Sequence, residues 1–269
     1  MELSIIITSY KNPELLRLCL QSIEKNYTGS DYELIVSDGE TEEATAMMLR
    51  EDFPKVIFIS SQANIGFGGL VSLGFEKSSG QYILILNSDV LIKKKAIEIL
   101  LDYIKNNAEV GIVGPQLLGF DEKFQPSCFH FYTPLTIIYR RTFLGKFNFA
   151  KKHLANFLMQ DFDHKSIANV DWLMGSALMT KRSAIEKVGL MDPQFKMYFE
   201  DTDWCRQFWE KKYRVVYNPT AQIYHYHGKG SAGKSIWKTL ISNRLAWIHI
   251  ASAVKYFKKY AGKPLPKNN

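Results

Sequence analysis

Apolar and polar positions alternate in two patterns along the first half of the chain. Short runs of β-branched residues or leucine, bounded by polar residues or glycine, predict strands at residues 3–8, 33–37, 56–59, 82–86 and 110–113. Between them, apolar residues recur every three or four positions, which predicts helices at residues 13–24, 41–50, 68–77 and 93–104. Strands that alternate with helices of this length predict an α/β fold, with a mostly parallel, Rossmann-like central sheet flanked by helices.

The second half of the chain is less regular. Residues 120–169 are rich in aromatic and basic residues, and we expect loops with short helices there. Residues 235–260 carry apolar side chains at helical spacing among lysines, which predicts a basic amphipathic helix as a C-terminal helical extension. Lys238 and Arg244 interrupt the apolar positions, so the run of about 20 apolar residues that spans a membrane is missing. Such a helix either packs against the rest of the protein or lies on an anionic membrane surface.

Composition indicates a globular protein. The hydrophobic content of 46% and the charged content of 23% exclude disordered and fibrous classes. Cys19, Cys128 and Cys205 are odd in number and lack paired spacing, so we expect no disulfide, no zinc site and a reduced, cytoplasmic setting. The first residues lack the basic region of a signal peptide. The net charge of +7 comes without a nucleic-acid-binding motif, so we expect no nucleic-acid partner.

Polar residues follow each of the first four predicted strands. They are Thr8, Ser9 and Tyr10 after the first strand, Asp38 after the second, Asn64, Gly66 and Phe67 after the third, and Asn87, Ser88 and Asp89 after the fourth. Open α/β sheets bind ligands at the carboxyl ends of their strands, so we expect these residues to form one site. Asp38 can accept the imide N–H of uracil or thymine, and Tyr10 can cover a base or a ribose. Taken singly, each residue also fits an ordinary turn or helix cap.

Two acidic sites lie far apart in the sequence. Asp89 follows a buried strand, and a hard oxygen ligand there suits Mg²⁺ or Mn²⁺ carrying a diphosphate. Glu200, Asp201 and Asp203 precede an amphipathic stretch. A metal-bound carboxylate is a poor base, because the ion occupies its lone pairs and lowers its pKa. The second group is therefore the candidate base; the alternative is a helix N-terminus, whose dipole favours acidic residues.

Seven segments, in order and spacing, resemble a family 2 glycosyltransferase with the GT-A fold, within the rhamnosyltransferase-like group. They are residues 6–12, 64–69, 86–90, 172–179, 188–193, 198–203 and 225–228. The resemblance implies a GT-A catalytic domain over residues 1–231, with a nucleotide-binding half at 1–115 and an acceptor-binding half at 116–231. The C-terminal extension would then occupy residues 232–269.

The resemblance also implies roles for single residues. Asp89 would bind the metal ion with either His225 or His227, because glycine stands three positions after each histidine. Asp201 would be the catalytic base. The residues implied at the donor nucleotide and sugar are Thr8, Ser9, Tyr10, Asp38, Asn64, Gly66, Phe67, Asn87, Ser88 and Lys229. Those implied at the acceptor and sugar are Trp172, Gly175, Glu200 and Asp203, although Asp203 would alternatively cap a helix and Trp172 would alternatively be a core residue.

The implied function is an inverting, metal-dependent transfer of a sugar to a saccharide or lipid-diphosphate-linked acceptor in cell-surface glycan synthesis. The resemblance favours L-rhamnose from dTDP-rhamnose, and a UDP-sugar stays open because thymine and uracil present the same imide edge. The basic, aromatic C-terminal helix favours a lipid-diphosphate acceptor at the inner face of the plasma membrane, with peripheral membrane contact. Residues 228–235 separately match the G-x-x-x-x-G-K-S pattern of an NTPase phosphate-binding loop. Against that alternative, the sheet of a P-loop NTPase follows this loop, whereas the predicted sheet precedes it.

Overall fold

The computed structural model describes residues 1–226 and 244–266 and shows strands alternating with helices over the first half of the chain. The strands are β1 (Leu3–Tyr10), β2 (Tyr32–Gly39), β3 (Ile57–Ser61), β4 (Tyr82–Asn87), β5 (Val90–Ile92), β6 (Val110–Leu118), β7 (Phe124–Gln125), β8 (Cys128–Phe129), β9 (Ala168–Asn169), β10 (Trp172–Leu173), β11 (Ala177–Lys181) and β12 (Arg214–His225). The helices are α1 (Pro13–Asn26), α2 (Glu43–Asp52), α3 (Gly66–Lys77), α4 (Ala96–Asn106), α5 (Pro134–Arg141), α6 (Asn148–Phe157), α7 (Arg182–Val188), α8 (Glu200–Glu210) and the C-terminal helix (Arg244–Lys259), with a 3₁₀ turn at Phe143–Lys146.

The central sheet has the strand order β3-β2-β1-β4-β11-β6-β12-β5, with β7 and β9 pairing alongside. Strands β1 to β4 are mutually parallel where they pair, and β6 pairs with β12 in parallel. Strand β11 lies antiparallel between β4 and β6, and β5 is antiparallel to β12. The predicted α/β fold with a mostly parallel sheet is therefore confirmed.

The sheet is buried on both faces, which explains why its central strands are continuous apolar runs. In β1, Ile5 and Ile7 pack into the layer that α1, α2 and α4 cover, whereas Ile6 packs into the layer beneath α3, α8 and the C-terminal helix. All three isoleucines are fully buried. Helix α3 can approach this strand closely because Gly74 has no side chain; a Cβ there would lie 2.3 Å from Ile6. This packing fixes the ends of β1 to β4 at one edge of the sheet.

The C-terminal helix packs on the body of the protein. Its buried residues are Ala246, His249, Ser252, Ala253 and Tyr256. The Ser252 hydroxyl donates to the Met197 carbonyl over 2.9 Å. Residues 235–243 of the predicted amphipathic helix lie outside the described residues. Within the described part of the chain, no helix is long and apolar enough to span a membrane.

Candidate active site

A cavity of about 630 Å³ opens at the carboxyl ends of the central strands. Its size falls in the range of small-molecule sites. The structure brings together here most of the residues that the sequence predicted: Thr8, Ser9, Tyr10, Asn64, Gly66, Phe67, Asn87, Ser88, Asp89, Trp172, Gly175, Glu200, Asp201 and His225. The adjacent ends of β1 and β4 supply the first contacts, since the Ser88 amide donates to the Thr8 carbonyl over 3.0 Å.

Two predicted site residues do not line the cavity. Asp38 is fully buried at the end of β2, and burial raises the pKa of its carboxyl above the ordinary value. Asp203 is also fully buried, and its carboxylate accepts from Lys259 Nζ and the Tyr260 hydroxyl, both over 2.8 Å. The expected place of Asp203 on the acceptor side is thus corrected. Its carboxylate contacts Lys259 of the C-terminal helix and Tyr260, and it does not line the cavity. His227 and Lys229 lie outside the described residues.

The loop before α3 is shaped by one glycine. Gly66 has a φ of 78°, in the left-handed region that favours glycine, and a Cβ there would lie 2.1 Å from the Lys196 carbonyl oxygen. Asn64 Oδ1 accepts from the Gly66 amide over 3.0 Å and so stabilises the turn. Phe67 follows directly and reaches the cavity. This loop therefore contributes backbone and an aromatic ring to the cavity.

Asp89 and His225 face each other across the ends of β4 and β12. Asp89 Oδ1 lies 3.6 Å from His225 Nε2. Gln125 holds the imidazole: its Nε2 donates to the His225 carbonyl over 3.1 Å, which directs its Oε1 at His225 Nδ1 over 3.0 Å. Because an amide oxygen only accepts, Nδ1 donates this hydrogen bond, which directs Nε2 towards Asp89. Ser176 Oγ lies 3.2 Å from that Nε2.

This donor set fits a divalent ion that shares its coordination with a substrate. Mg²⁺ takes one or two protein carboxylates and fills its other positions with water and phosphate oxygens, and Mn²⁺ accepts imidazole as well. Asp89 and His225 supply one oxygen and one nitrogen. Across the described ranges, 1–226 and 244–266, no group of three or more His, Cys, Asp or Glu side chains is placed to hold a metal. The oxygens of a substrate diphosphate are further ligands that such an ion accepts.

Asp201 is held at the start of α8 by backbone donors. Its Oδ2 accepts from the Gly175 amide over 3.1 Å, and its Oδ1 accepts from the Thr202 amide over 2.7 Å. Burial raises the pKa of Asp201 above the ordinary aspartate value, and these donors offset part of that rise. Burial and the neighbouring Asp201 also raise the pKa of Glu200. A fixed carboxylate with a raised pKa is a stronger base than an ordinary aspartate.

The turn before α8 is strained at two consecutive residues. Tyr198 and Phe199 have φ values of 65° and 70°, a region that bulky residues rarely adopt. Phe199 is 2% exposed and packs on Tyr132 with ring centroids 4.6 Å apart. The packing around Phe199 holds this conformation in place. Strain of this kind concentrates at functional sites, where the surrounding structure compensates for it.

Trp172 belongs both to the core and to the cavity wall. Its indole is 6% exposed, stacks on Phe129 with centroids 4.5 Å apart, and donates from Nε1 to the His130 carbonyl over 2.9 Å. The same residue lines the cavity beside Gly175. Trp172 is therefore both a core residue and a residue of the cavity wall.

One wall of the cavity was not predicted from the sequence. Its residues are Tyr132, Arg140 and Arg141, from the irregular region around α5, with Tyr198 and His249. The only signal in the sequence was the aromatic and basic composition of residues 120–169. His249 comes from the C-terminal helix, which joins the wall only through tertiary packing.

A mostly parallel α/β sheet with a cavity at the carboxyl ends of its strands is the architecture of glycosyltransferases with the GT-A fold. Residues 4–188 match the model of the family described as "Glycosyl transferase family 2". The chain belongs to that family.

Two relatives and two solved structures give the context. An N-acetylglucosaminyl-diphospho-decaprenol L-rhamnosyltransferase of Mycobacterium tuberculosis is 25% identical over 215 residues, which cover 75% of this chain and 68% of that protein. The low-salt glycan biosynthesis hexosyltransferase Agl10 of Haloferax volcanii is 25% identical, covering 76% of this chain and 60% of that protein.

Among solved structures, GalNAc-T7 with UDP, GalNAc and Mn²⁺ superposes with a TM-score of 0.62 at 14% identity, covering 86% of this chain and 46% of that one. S. aureus TarS superposes with a TM-score of 0.59 at 13% identity, covering 84% and 37%. The chain thus spans less than half the length of these two structures, and the likeness to them shows the fold.

Proposed function

We propose that this glycosyltransferase inverts the anomeric centre of a nucleotide sugar and depends on Mg²⁺ or Mn²⁺. The observation that carries the proposal is the presence, in one cavity, of the Asp89–His225 pair and a separate carboxylate, Asp201, fixed by the Gly175 amide. Inversion needs a base on the side of the sugar opposite the leaving diphosphate. A carboxylate outside the metal pair meets that need.

Asp201 acts on the acceptor. It removes the proton of the acceptor hydroxyl while the oxygen of that hydroxyl attacks the anomeric carbon in line with the departing diphosphate. The Gly175 and Thr202 amides hold its two oxygens in place, so one oxygen lone pair keeps a fixed direction. Glu200 lines the same cavity and positions the acceptor.

Asp89 and His225 would hold the divalent ion at the donor diphosphate. When bound, the ion offsets the negative charge that develops on the leaving diphosphate. Asn87 and the loops at Thr8–Tyr10 and Asn64–Phe67 line the donor side, and Asp38 lies behind them at the end of β2. The structure of GalNAc-T7 with UDP and Mn²⁺ supports this use of the fold.

The donor that we favour is dTDP-L-rhamnose, and the acceptor a saccharide carried on a lipid diphosphate. Support comes from the name of the M. tuberculosis relative, an L-rhamnosyltransferase with a diphospho-decaprenol acceptor. A UDP-sugar is the alternative donor. Such an acceptor would place the protein at the inner face of the plasma membrane, where it acts in cell-surface glycan synthesis.

Nucleotide release from a panel of dTDP- and UDP-sugars, with Mn²⁺ or Mg²⁺ and with chelator, tests the proposal. We expect turnover of one donor that chelator abolishes and added metal restores. Asp201→Asn should lower kcat by about 10²- to 10⁴-fold while donor binding persists, because only the base is lost. The matched control is Asp161→Asn at an exposed position. Full activity of Asp201→Asn would contradict the mechanism, and ATP hydrolysis without sugar-nucleotide turnover would favour the phosphate-binding loop at residues 228–235.

A further inference from the structure

Two adjacent arginines, Arg140 and Arg141, line the active-site cavity at the end of α5. Arg140 Nη1 donates to the Tyr132 hydroxyl over 2.8 Å, and its guanidinium lies 5.6 Å from the Phe157 ring. The Nε of Arg141 is buried and meets no hydrogen-bond acceptor among the described residues. Neither arginine forms an ion pair with a carboxylate of the described chain, whereas the arginines at 17, 206 and 214 do.

The two cations make this end of the cavity electropositive. Burial and the charge of Arg140 lower the pKa of Arg141. Burial, together with both arginines, lowers the pKa of the neighbouring His249 to about 3, so this imidazole is neutral. Arg140 is exposed, but Arg141 is partly buried, and a like charge beside it without a counter-charge costs free energy. A ligand that brings negative charge would recover that free energy, and a guanidinium pairs with phosphate oxygens in bidentate geometry.

The position of the arginines favours the acceptor over the donor. Tyr132, which Arg140 contacts, packs on Trp172 and on Phe199, the residue before Glu200 and Asp201. The Asp89–His225 pair, at the ends of β4 and β12, already provides for a donor diphosphate. The arginines therefore stand on the wall that carries the base.

We propose that Arg140 and Arg141 bind a phosphate or diphosphate group of the acceptor, so that the acceptor is a phosphorylated saccharide. This inference rests on the proposed function, because it names the residues that hold the phosphate of the acceptor on which Asp201 acts. The same chemistry is offered by a lipid-linked diphosphate and by a soluble sugar phosphate, and the test separates the two.

Binding without turnover is the first measurement. Calorimetry compares a short-chain alkyl diphosphate, a long-chain polyisoprenyl diphosphate in detergent and the matching alcohols. We expect both diphosphates to bind, the alcohols not to bind, and Arg140→Gln/Arg141→Gln to weaken diphosphate binding by at least about tenfold, since hydrogen bonds to charged groups are lost. Tighter binding of the long-chain diphosphate would show that the acceptor is lipid-linked. Equal binding of the two diphosphates would show that the protein recognises only the diphosphate group. The control, Arg50→Gln/Lys55→Gln, removes the same two positive charges at exposed positions that are distant in sequence from Arg140 and Arg141.

Kinetics then separates this inference from the proposed function. In the arginine double variant, KM for the phosphorylated acceptor should rise while KM for the donor stays unchanged. A rise in donor KM instead, or equal binding of alcohol and diphosphate to the wild type, would overturn the inference. Diphosphate binding without turnover of any sugar nucleotide would leave the inference standing and count against the proposed function.

A second surface of the same region is exposed and apolar. Phe143, Phe147 and Phe149 are 62%, 48% and 59% exposed, and their rings contact one another with centroids 5.7 to 6.4 Å apart. We call these three residues the phenylalanine cluster. Residues 134–157 contain five basic residues and no Asp or Glu: Arg140, Arg141, Lys146, Lys151 and Lys152. Exposed aromatic rings beside lysines and arginines are suited to the surface of an anionic membrane, which is apolar inside and negatively charged at its headgroups.

We infer that the phenylalanine cluster and its lysines dock on an anionic lipid bilayer. Phenyl rings gain free energy in the acyl boundary, and each surface lysine gains from anionic headgroups. The cluster lies on the same segment as Arg140 and Arg141, so docking there would bring the bilayer to the acceptor end of the cavity. The measurement needs no enzymatic turnover and stands apart from the proposed function.

Vesicle co-sedimentation tests this surface. We expect binding to vesicles of phosphatidylcholine with phosphatidylglycerol, at least about tenfold weaker binding to phosphatidylcholine alone, and loss of binding in Phe143→Ser/Phe147→Ser/Phe149→Ser. Trp247→Ser/Val254→Ser changes exposed apolar residues of the C-terminal helix and should bind as the wild type does. Lys146→Gln/Lys151→Gln/Lys152→Gln keeps the rings and should also weaken binding. Loss of binding only in the Trp247 variant, or self-association through the cluster in ultracentrifugation, would overturn the inference.

Discussion

Gly175 shows how the absence of one side chain shapes the cavity. A Cβ at this position would lie 2.9 Å from the Phe67 ring and 3.5 Å from the Asp201 Cβ. The Gly175 amide can therefore reach the Asp201 carboxylate while Phe67 packs beside it. The resemblance pointed to this glycine, and the contacts give the physical reason for it.

Gly175→Ala should lower kcat by about tenfold or more and cost about 1 to 3 kcal/mol of unfolding free energy, because the added methyl forces Phe67 to shift. Steady-state kinetics and urea unfolding measure the two effects. In a Phe67→Leu background, adding Gly175→Ala should lower kcat and the unfolding free energy much less than it does in the wild type, since the clashing ring atoms are gone. No recovery would mean that the methyl disturbs Asp201 directly.

The raised pKa of Asp201 predicts an acid limb in the pH profile of kcat/KM. A protonated carboxyl cannot accept a proton, so activity should fall as the pH drops through the Asp201 pKa, at a midpoint above the ordinary value of 3.8. Glu200→Gln should keep this limb, because burial is the main cause of the Asp201 shift, and should leave a single ionisation, since the two neighbouring carboxyls of the wild type titrate together. A wild-type midpoint at the ordinary aspartate value would count against a buried base.

At the scale of elements, the C-terminal helix is fastened to α8 by a buried charge cluster. Lys259 Nζ donates to Asp203 over 2.8 Å and to Asp192 over 2.6 Å, and Gln207 also donates to Asp203 over 2.6 Å. Asp203 is fully buried, so its charge depends on these partners. Two acidic residues of one motif therefore have different environments: Asp201 lines the cavity, and Asp203 binds Lys259 of the C-terminal helix.

Lys259→Met should lower the unfolding free energy by about 1 to 3 kcal/mol, because it leaves the buried Asp203 carboxylate with fewer partners. Urea unfolding measures this loss. Lys258→Met, at the exposed neighbouring position, is the matched control and should change stability by less than about 0.5 kcal/mol. Equal effects of the two variants would show that the cluster contributes little to stability.

At the scale of the whole molecule, the active site depends on segments far apart in the chain. β1 and β4 supply one side of the cavity, α8 supplies Asp201, which we propose as the base, and the C-terminal helix supplies His249. Arg206 of α8 is 2% exposed, with its guanidinium 3.7 Å from the Tyr260 ring. The predicted extension at residues 232–269 is therefore, in its described part, integral to the packing.

Truncation after residue 231 should lower the melting temperature by more than about 10 °C, because it uncovers an aromatic layer and removes the partners of Asp203. Thermal circular dichroism measures the change, and removal of residues 267–269 alone serves as the control. An unchanged melting temperature in the longer truncation would make the extension a separate unit.

The sequence by itself determined the α/β fold, because runs such as residues 82–86 and the helical spacing of α1 and α4 depend on local burial patterns. It also predicted most of the residues that β1, β4 and the loop before α3 bring to the cavity, since these follow strand ends and parallel strands end at one edge. Helix boundaries shifted by a few residues, as with α4, which begins at Ala96 rather than at residue 93. The short antiparallel strand β11 was not predicted from the sequence.

Only the tertiary structure decided the rest. It placed Asp203 against Lys259 and away from the cavity, although Asp201 stands two residues earlier, because successive helix positions point in different directions. It brought Arg140, Arg141 and His249 into one wall, which no spacing in the chain predicts. Local patterns report which side chains are buried or exposed, whereas a site depends on which distant elements meet, and packing alone determines that.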